Sequence, residues 1–390
     1  MNPEDFRAPE AGRVVQTPQG YAAFVPAPLP PEIKYDAPLV NALSRADAAL
    51  SELSGLGRQL PNPHLLIAPY VRREAVLSSR IEGTRASLSD LLMDEIGEEA
   101  SSRGAADDVR EVRNYVQALE SGIVRLNDLP LSLRLVRELH EKLMRGVRGD
   151  KATPGEFRRS QNWIGPPGSS PSSAPYVPPP IAEMHEALNS WEKFLHVRDS
   201  MPDLIHCALM HEQFEAIHPF LDGNGRVGRL LITLFLIERG RLSQPLLYLS
   251  AYIESHKQEY YDLLQRVRTR GDWNAWLLYF LQGVYDIARD ASAQAVQLLE
   301  LRTRLRDQLR SFHRAQALVD ELFLNPYLSV ARAEQALKVT NPTARKDVAL
   351  LMKKGILEEI TGRRWGRLYV ARRVLDMLEP REVAASRPGE

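Results

Sequence analysis

His218-Pro219-Phe220-Leu221-Asp222-Gly223-Asn224-Gly225-Arg226-Val227-Gly228-Arg229 is the stretch whose reading decides the fold. To its left, His206 to Ile217 carries a helical pattern, and to its right Leu230 to Ile237 carries another. Pro219 breaks the first helix, and Gly223-Asn224-Gly225 supplies a flexible loop that opens the second. Small residues at a helix N-terminus expose free backbone N–H groups, which with the helix dipole form an anion cradle suited to phosphates. Arg226 and Arg229 stand one turn apart, so both guanidinium forks can face that cradle. Asp222 offers the kind of hard carboxylate that Mg²⁺ takes together with phosphate oxygens. His218 is the one side chain here able to act as a general base near neutral pH. The set suits in-line attack on a nucleotide phosphate. A plain helix–loop–helix corner with a core histidine would account for the glycines, but not for the histidine, the aspartate and two arginines together.

Composition bounds what can surround this corner. The chain has 390 residues, which predicts two or three domains. It is 44% hydrophobic and 26% charged, ordinary values for a globular protein able to fill its cores. Basic and acidic residues balance at 50 each, so no whole-chain attraction to nucleic acid or membrane follows. Apolar runs such as Leu230 to Ile237 fall well short of the about 20 residues a spanning helix needs. Met1 to Arg13 carries acids and prolines rather than a basic and then apolar leader. One cysteine, Cys207, excludes an internal disulfide and a cysteine-based zinc cluster, and points to the reducing cytoplasm.

Outward from the corner, residues 1–36 are Pro-rich and aperiodic, and are expected as an extended arm. Leu39, Leu43, Ala46, Leu50 and Leu53 predict a helix that Gly55 and Gly57 would end. Leu66, Tyr70, Leu77 and Ile81 predict a second, stopped at Gly83. A third follows from Val109, Val112, Val116 and Leu119, and a fourth from Leu135, Leu139 and Leu143 after the cap candidate Ser132. Gly165 to Pro180 holds seven prolines, four serines and two glycines in sixteen residues, so it is neither helix nor interior strand. Helical periodicity resumes at Ile181 and runs, with a sharp turn at Gly271-Asp272, to about Arg310. Residues 291–314 read as a charged connecting helix. The last part holds three short helical patterns, Ala317 to Phe323, Ser329 to Leu337 and Thr343 to Gly355. A two-stranded hairpin over Ile356–Ile360 and Arg367–Val370 follows, which is the winged helix-turn-helix order.

The stretch from His218 to Arg229 closely resembles the signature of the Fic family, HPF-x-[DE]-GNG-R-x-x-R, with no departure at any fixed position. The resemblance covers residues 35–290 well. It implies that His218 deprotonates a target hydroxyl and that Asp222 holds Mg²⁺ against the α- and β-phosphates of ATP. Gly223, Asn224 and Gly225 would cradle phosphates, and Arg226 and Arg229 would bind the β/γ side, with Val227 and Gly228 completing the ATP-binding segment. The hydroxyl attacks the α-phosphorus, AMP is transferred and pyrophosphate leaves. A branch of the family that acts as a kinase has lysine in place of the second glycine; Gly225 is intact, which favours nucleotidyl transfer.

A second motif does not fit its own helix. In Ser78-Ser79-Arg80-Ile81-Glu82-Gly83 the carboxylate of Glu82 falls at the negative end of a helix, where it is disfavoured by about 0.3–1 kcal/mol. The string resembles the inhibitory motif of Fic proteins, [ST]-x-x-x-E-[GN]. The resemblance implies that Glu82 pairs with Arg229 and blocks its hold on the γ-phosphate, that Ser78 faces the same site, and that Gly83 closes the motif. Some relatives also use this glutamate to remove AMP from targets.

Residues 155–165 (GEFRRSQNWIG) and the Pro-rich stretch after them are also Fic-like. They imply a β-hairpin flap that docks an extended segment of the target protein by main-chain hydrogen bonds, with Val177 a contact candidate. Leu247 to Tyr252 and Glu259-Tyr260-Tyr261 resemble the family too, and Tyr260 is the candidate to lie against the nucleoside, while Glu82 counts among the ATP-site residues. His206, His211 and His218 are spaced by five and seven, which does not match i, i+4 zinc ligand pairs. His140 and His185 are expected to be structural, and Cys207 a small core residue. In the C-terminal module, Arg345, Lys346, Lys353 and Lys354 with Arg363, Arg364 and Arg367 form a basic face, partly offset by Asp347, Glu358 and Glu359. DNA contact through the major groove, protein docking and a homodimer contact all stay open there.

The expected fold is mainly α: an arm (1–36), an N-terminal helical region with the inhibitory helix (37–115), a Fic-type helical core with a short β-hairpin flap (116–290), the connecting helix (291–314) and a winged helix-turn-helix (315–380). The expected activity is Mg²⁺-dependent transfer of AMP from ATP to a Ser, Thr or Tyr hydroxyl of a target protein or of the chain itself, held down by Glu82. The competing readings are a nucleotide-sensing, DNA-binding transcriptional regulator and a toxin-like growth inhibitor. The intact His218 argues against the regulator, since binding alone needs no base.

Overall fold

The apolar runs on either side of His218 form two consecutive, deeply buried helices, and the rest of the chain is arranged around them. A computed structural model describes residues 1–59, 64–98, 103–147 and 153–379. Its elements begin with two strands, β1 (Gly12–Gln16) and β2 (Ala22–Pro26), and the helices α1 (Ala37–Gln59), α2 (His64–Ile81), α3 (Leu88–Asp94), α4 (Arg103–Arg125) and α5 (Leu133–Met144). After the flap come α6 (Ile181–Leu195), α7 (Asp203–Ile217), α8 (Asn224–Glu238), α9 (Ser250–Ser255), α10 (Lys257–Arg270) and α11 (Trp273–Asp307). The C-terminal part is α12 (His313–Leu324), β3 (Tyr327–Ser329), α13 (Val330–Leu337), α14 (Asn341–Lys353), β4 (Glu358–Glu359), β5 (Leu368–Val370) and α15 (Arg372–Leu378).

α7 is buried on all sides from Leu204 to Ile217, as its near-continuous apolar sequence requires. Its polar side chains find partners there. His211 lies between the Gly228 carbonyl (3.1 Å) and the Tyr260 hydroxyl (2.9 Å), and Gln213 donates to the Ala27 carbonyl at 2.9 Å. α1 packs along α11, α4 against α2 and α5, and α8 against α7. One continuous hydrophobic core runs from Leu39 of α1 to Leu378 of α15. Among the described residues no helix is long and apolar enough to cross a membrane.

Four local expectations need correction. The stretch 1–36 is not merely an arm, because β1 and β2 form an antiparallel hairpin with Val14 opposite Phe24. Its turn, Thr17 to Tyr21, closes with a Thr17 N–H to Tyr21 carbonyl bond of 2.9 Å. The strands are short and Pro-flanked, so their pattern is faint. They are held by a small second core, in which Met1, Ala23 and Phe24 meet Ala174, Tyr176 and Val177 of the flap. α1 runs through Gly55 and Gly57 to Gln59. A Cβ on Gly57 would lie 2.9 Å from Ser243 Oγ, so this glycine admits a neighbouring loop rather than ending a helix. The expected boundaries at 115/116 and 290/291 both fall inside helices, α4 and α11. α11 is a single 35-residue helix whose one face stays apolar from Trp273 to Leu305.

The C-terminal hairpin is present, and a third strand joins it in the order β3-β5-β4, with Leu328 opposite Tyr369. Three residues of β3 were too few to read as a strand. α12, α13 and α14 are the helices that accompany this sheet. The module sits directly on α2 and α3, with Tyr327 and Glu379 both bonded to Ser89 and Asn325 donating to the Leu92 carbonyl at 2.8 Å. Pro380, the last residue of that expected module, lies outside the described residues.

Candidate active site

The loop between α7 and α8 is stapled from three directions. Asn224 turns its side chain inward and bonds both the N–H and the carbonyl of Phe220, each at 2.8 Å. Arg158, at the base of the flap, donates to the His218 carbonyl at 3.1 Å, and its backbone N–H bonds the Pro219 carbonyl. Asn162 donates to the carbonyls of His218 and Phe220. From below, His140 stacks on Phe220 with ring centroids 3.7 Å apart. Its Nε2 meets the Asp222 carbonyl while its Nδ1 accepts the Gly155 N–H, so it ties the loop to the start of the flap.

His218 caps α7 in the left-handed region, at φ 48°. A non-glycine residue held there costs of order 1–3 kcal/mol, which the surrounding hydrogen bonds must offset. Its side chain is 19% exposed, so part of the ring faces solvent. Burial, then the charges of Arg268 and Arg158, push its pKa down to about 3, and the imidazole is neutral at neutral pH. Its Nδ1 has no hydrogen-bond partner and lies 4.0 Å from Glu215 Oε2.

Gly223 enters α8 at φ 81°, a conformation that suits glycine, and by position the amides of Asn224, Gly225 and Arg226 lie in a first turn without intrahelical acceptors. Asp222 stands beside them with its side chain 50% exposed, one oxygen accepting the Gly223 N–H at 2.6 Å. A lone, accessible carboxylate next to a phosphate cradle fits Mg²⁺, which keeps most of its ligands as water and phosphate oxygens. No group of three or more acidic, His or Cys side chains able to hold a metal occurs among the described residues, so most ligands would come from the nucleotide.

The two arginines differ. Arg226 is buried, 3.6 Å from Glu111 and 3.5 Å from Asp222, but its Nε and Nη1 make no hydrogen bond. Buried guanidinium donors without acceptors are what an incoming anion would satisfy. Arg229 is fully engaged by the end of α2. It donates to Ser78 Oγ at 2.8 Å, to the Ser78 carbonyl at 2.9 Å and to Glu82 Oε1 at 2.7 Å. Burial would raise the Glu82 pKa, but the charge and hydrogen bond of Arg229, with Arg226 behind, hold it below its ordinary value. Glu82 therefore does not destabilise its helix end: Arg229 faces it, and Lys257 donates to the Ile81 carbonyl. Gly83 then ends the segment at φ 98°. A Cβ on Gly225 would lie 2.3 Å from Glu82 Oε1, so the bare backbone at this position is what lets the carboxylate approach.

Tyr260 needs correction. It is buried, bonded through its hydroxyl to His211 and packed on Trp276, and offers no ring face to a nucleoside; the exposed ring is its neighbour Tyr261. Val227 is likewise buried in the core, and Gly228 lies against His211 and Glu215. The flap pairs at one bridge, Ile164 with Tyr176. Val177 is buried, and its carbonyl is taken by the Phe24 N–H at 2.9 Å. Arg345, Lys346, Lys353, Lys354, Arg364 and Arg367 are exposed, as is Arg363, which reaches Glu98 at 3.2 Å. Sequence reasoning gave no role to Arg158, Asn162, Glu111 or Glu215. The one signal for the first two was a run of polar side chains, Arg158 to Asn162, just before a Pro-rich stretch; the glutamates carried none.

Family models described as Fic/DOC family N-terminal and Fic/DOC family match residues 40–124 and 130–236. Proteins named protein adenylyltransferase Fic from Aedes aegypti and Culex quinquefasciatus are 29% and 28% identical over 200 and 198 residues, 49% of this chain and 36% of each relative. A protein of the same name from Drosophila virilis is 34% identical over 115 residues, 29% of this chain and 21% of its own. The chain thus spans between about a fifth and little more than a third of the length of these relatives. In fold it is similar to a Fic family protein from Desulfovibrio desulfuricans G20 (TM-score 0.58, 20% identity, 88% of this chain and 98% of that one). It is also similar to a Fic domain containing signaling protein from Bacteroides thetaiotaomicron (TM-score 0.50, 17% identity, 67% and 96%).

Proposed function

We propose, from the matches of residues 40–124 and 130–236 to the Fic/DOC models, that this chain is a protein adenylyltransferase held down by Glu82. One observation supports this above the others. A neutral His218, an accessible Asp222, the free first turn of α8 and the underpartnered Arg226 meet at one corner, while Arg229 is occupied from outside it.

In the proposed reaction the first turn of α8 and Arg226 hold the phosphates of ATP. His218 takes the proton of a Ser, Thr or Tyr hydroxyl of the target. The hydroxyl oxygen bonds to the α-phosphorus as the bond to the β-phosphate oxygen breaks, and pyrophosphate leaves with AMP on the target. Bound Mg²⁺, held by Asp222, would neutralise phosphate charge. Most of the rate then comes from position and charge, with the base contributing about 10²–10⁴-fold. Glu82 competes with the γ-phosphate for Arg229, and the same carboxylate is suited to aiding AMP removal. The target's extended segment would dock at the flap. Because β2 takes Val177, the available edge is the one bearing Trp163 and Gly165. For the winged helix we propose DNA contact by its exposed cations, tested by salt-dependent retention on duplex DNA.

The test is incubation of wild type, Glu82→Gly and His218→Ala with Mg²⁺, cell lysate and ATP labelled at the α- or the γ-phosphate. Transfer of the α label alone, strongest with Glu82→Gly and absent with His218→Ala, is expected. Transfer of the γ label, or none from Glu82→Gly, would reject the reading.

A further inference from the structure

Glu215 lies on α7 one turn before His218, buried, with its Oε1 making no hydrogen bond. A buried carboxyl without a partner lowers stability by about 1–3 kcal/mol, so its presence calls for a reason other than folding. Its other oxygen, Oε2, is 4.0 Å from His218 Nδ1, which also lacks a partner. An unpartnered ring nitrogen thus faces a carboxyl that is itself only partly satisfied, at 4.0 Å, and such bonds are often long before substrate binds. α8 leaves room for the carboxyl: a Cβ on Gly228 would lie 2.5 Å from Oε1.

We propose that Glu215 is the positioning residue of His218. It accepts the Nδ1–H, which leaves Nε2 unprotonated toward the target hydroxyl, and its charge stabilises the imidazolium formed when that proton arrives. The hydroxyl proton moves to Nε2, Nδ1 keeps its own, and Glu215 stays ionised, as in other carboxylate–histidine pairs. The charged and titratable groups around Glu215 are His211, Glu212 and His218 of α7, Arg229 of α8, Tyr260, Tyr261 and Arg268 of α10, and Glu82. Burial, with the charge of Glu82 adding to it and Arg229 pulling against it, raises its pKa to about 7. Departure of Glu82 therefore favours the ionised form just as the ATP site opens.

This inference rests on the adenylyl-transfer reading, so its test has one arm that does not. In the Glu82→Gly background, Glu215→Gln keeps an acceptor but loses the charge, Glu215→Leu loses both, and Glu215→Asp keeps the charge on a shorter arm. The expected result is kcat lower by about 10–100-fold for Gln and about 10²–10⁴-fold for Leu, partial rescue by Asp, and an ATP KM within about twofold. An acid limb of kcat below pH 7 in the Glu82→Gly parent, where the push of Glu82 is gone, should vanish in the Gln variant. The independent arm is ¹⁵N NMR of histidine-labelled full chain: His218 carries its proton on Nδ1 in the parent and in Gln, and becomes a tautomer mixture in Leu. An unchanged kcat and acid limb in Leu, or an Nε2–H tautomer in the parent, overturns the proposal. If the parent transfers no AMP, the transfer reading fails and the tautomer alone decides the pairing of Glu215 with His218.

Discussion

Arg226 and Arg229 leave the same face of α8 one turn apart and end in opposite circumstances. Arg226 has carboxylates near it but hydrogen-bond donors left over, whereas Arg229 spends its donors on Ser78 and Glu82. Helical spacing makes the two equivalent, and within the corner only the approach of Asp222 to Arg226 separates them. The larger difference comes from the end of α2, which hydrogen-bonds Arg229 and approaches over the bare backbone of Gly225. Two like side chains on one helix can thus be set apart by a segment more than a hundred residues away.

The largest effect expected makes both arginines irrelevant. His218→Ala in the Glu82→Gly background should lower AMP transfer about 10²–10⁴-fold while calorimetry still detects ATP binding. Next, Glu82→Gly should abolish the asymmetry and raise labelled-AMP transfer by about 5–150-fold, the usual span of coupling between two sites; an unchanged rate would mean that Arg229 is not limiting. Neutralising each arginine sharpens the contrast. Arg226→Gln should weaken ATP binding about tenfold with little change in Tm, whereas Arg229→Gln strips Glu82 and Ser78 of their partner and should lower Tm by several degrees more. A smaller step is Ser78→Ala, which removes one of the bonds to Arg229 and should raise transfer about 2–10-fold. Acid should do least. Because the Glu82 pKa is lowered in the fold, the latch is fully present above the unfolded carboxylate value and is lost only as pH falls through the lowered one. The ratio of Glu82→Gly to wild-type rates should therefore stay flat between about pH 6 and 8, and a ratio that collapses by pH 6 would count against a charged latch.

Much of the corner was legible in the sequence because its residues are local. Pro219, Gly223 and the spacing of Arg226 and Arg229 act through backbone geometry within a few positions, and the structure places them as their types require. The oddity of Glu82 was legible as well, as a carboxylate at the wrong end of a helix, although its partner had to come from elsewhere. Less was visible where the cause was distant. Gly57 looked like a helix stop but serves a loop carried on the far side of α8. Tyr260 looked like a nucleoside platform but is held inward by His211. The hairpin of β1 and β2 showed little period of its own, since the flap residues that cover it lie about 150 positions further on. Glu215, one glutamate among many, becomes distinctive only when its burial and its facing nitrogen are known.

By itself the sequence determined the helix–loop–helix corner, its histidine, its carboxylate, its two arginines and the helices and hairpin of the C-terminal part. Dihedral preference, helical period and residue chemistry suffice for each of these. Only the tertiary structure decided which arginine is occupied, which nitrogen of His218 lies toward Glu215 and which edge of the flap is taken by β2. Those depend on groups from separate helices meeting within a few ångströms, and burial and charge act over space, where distance along the chain carries no information.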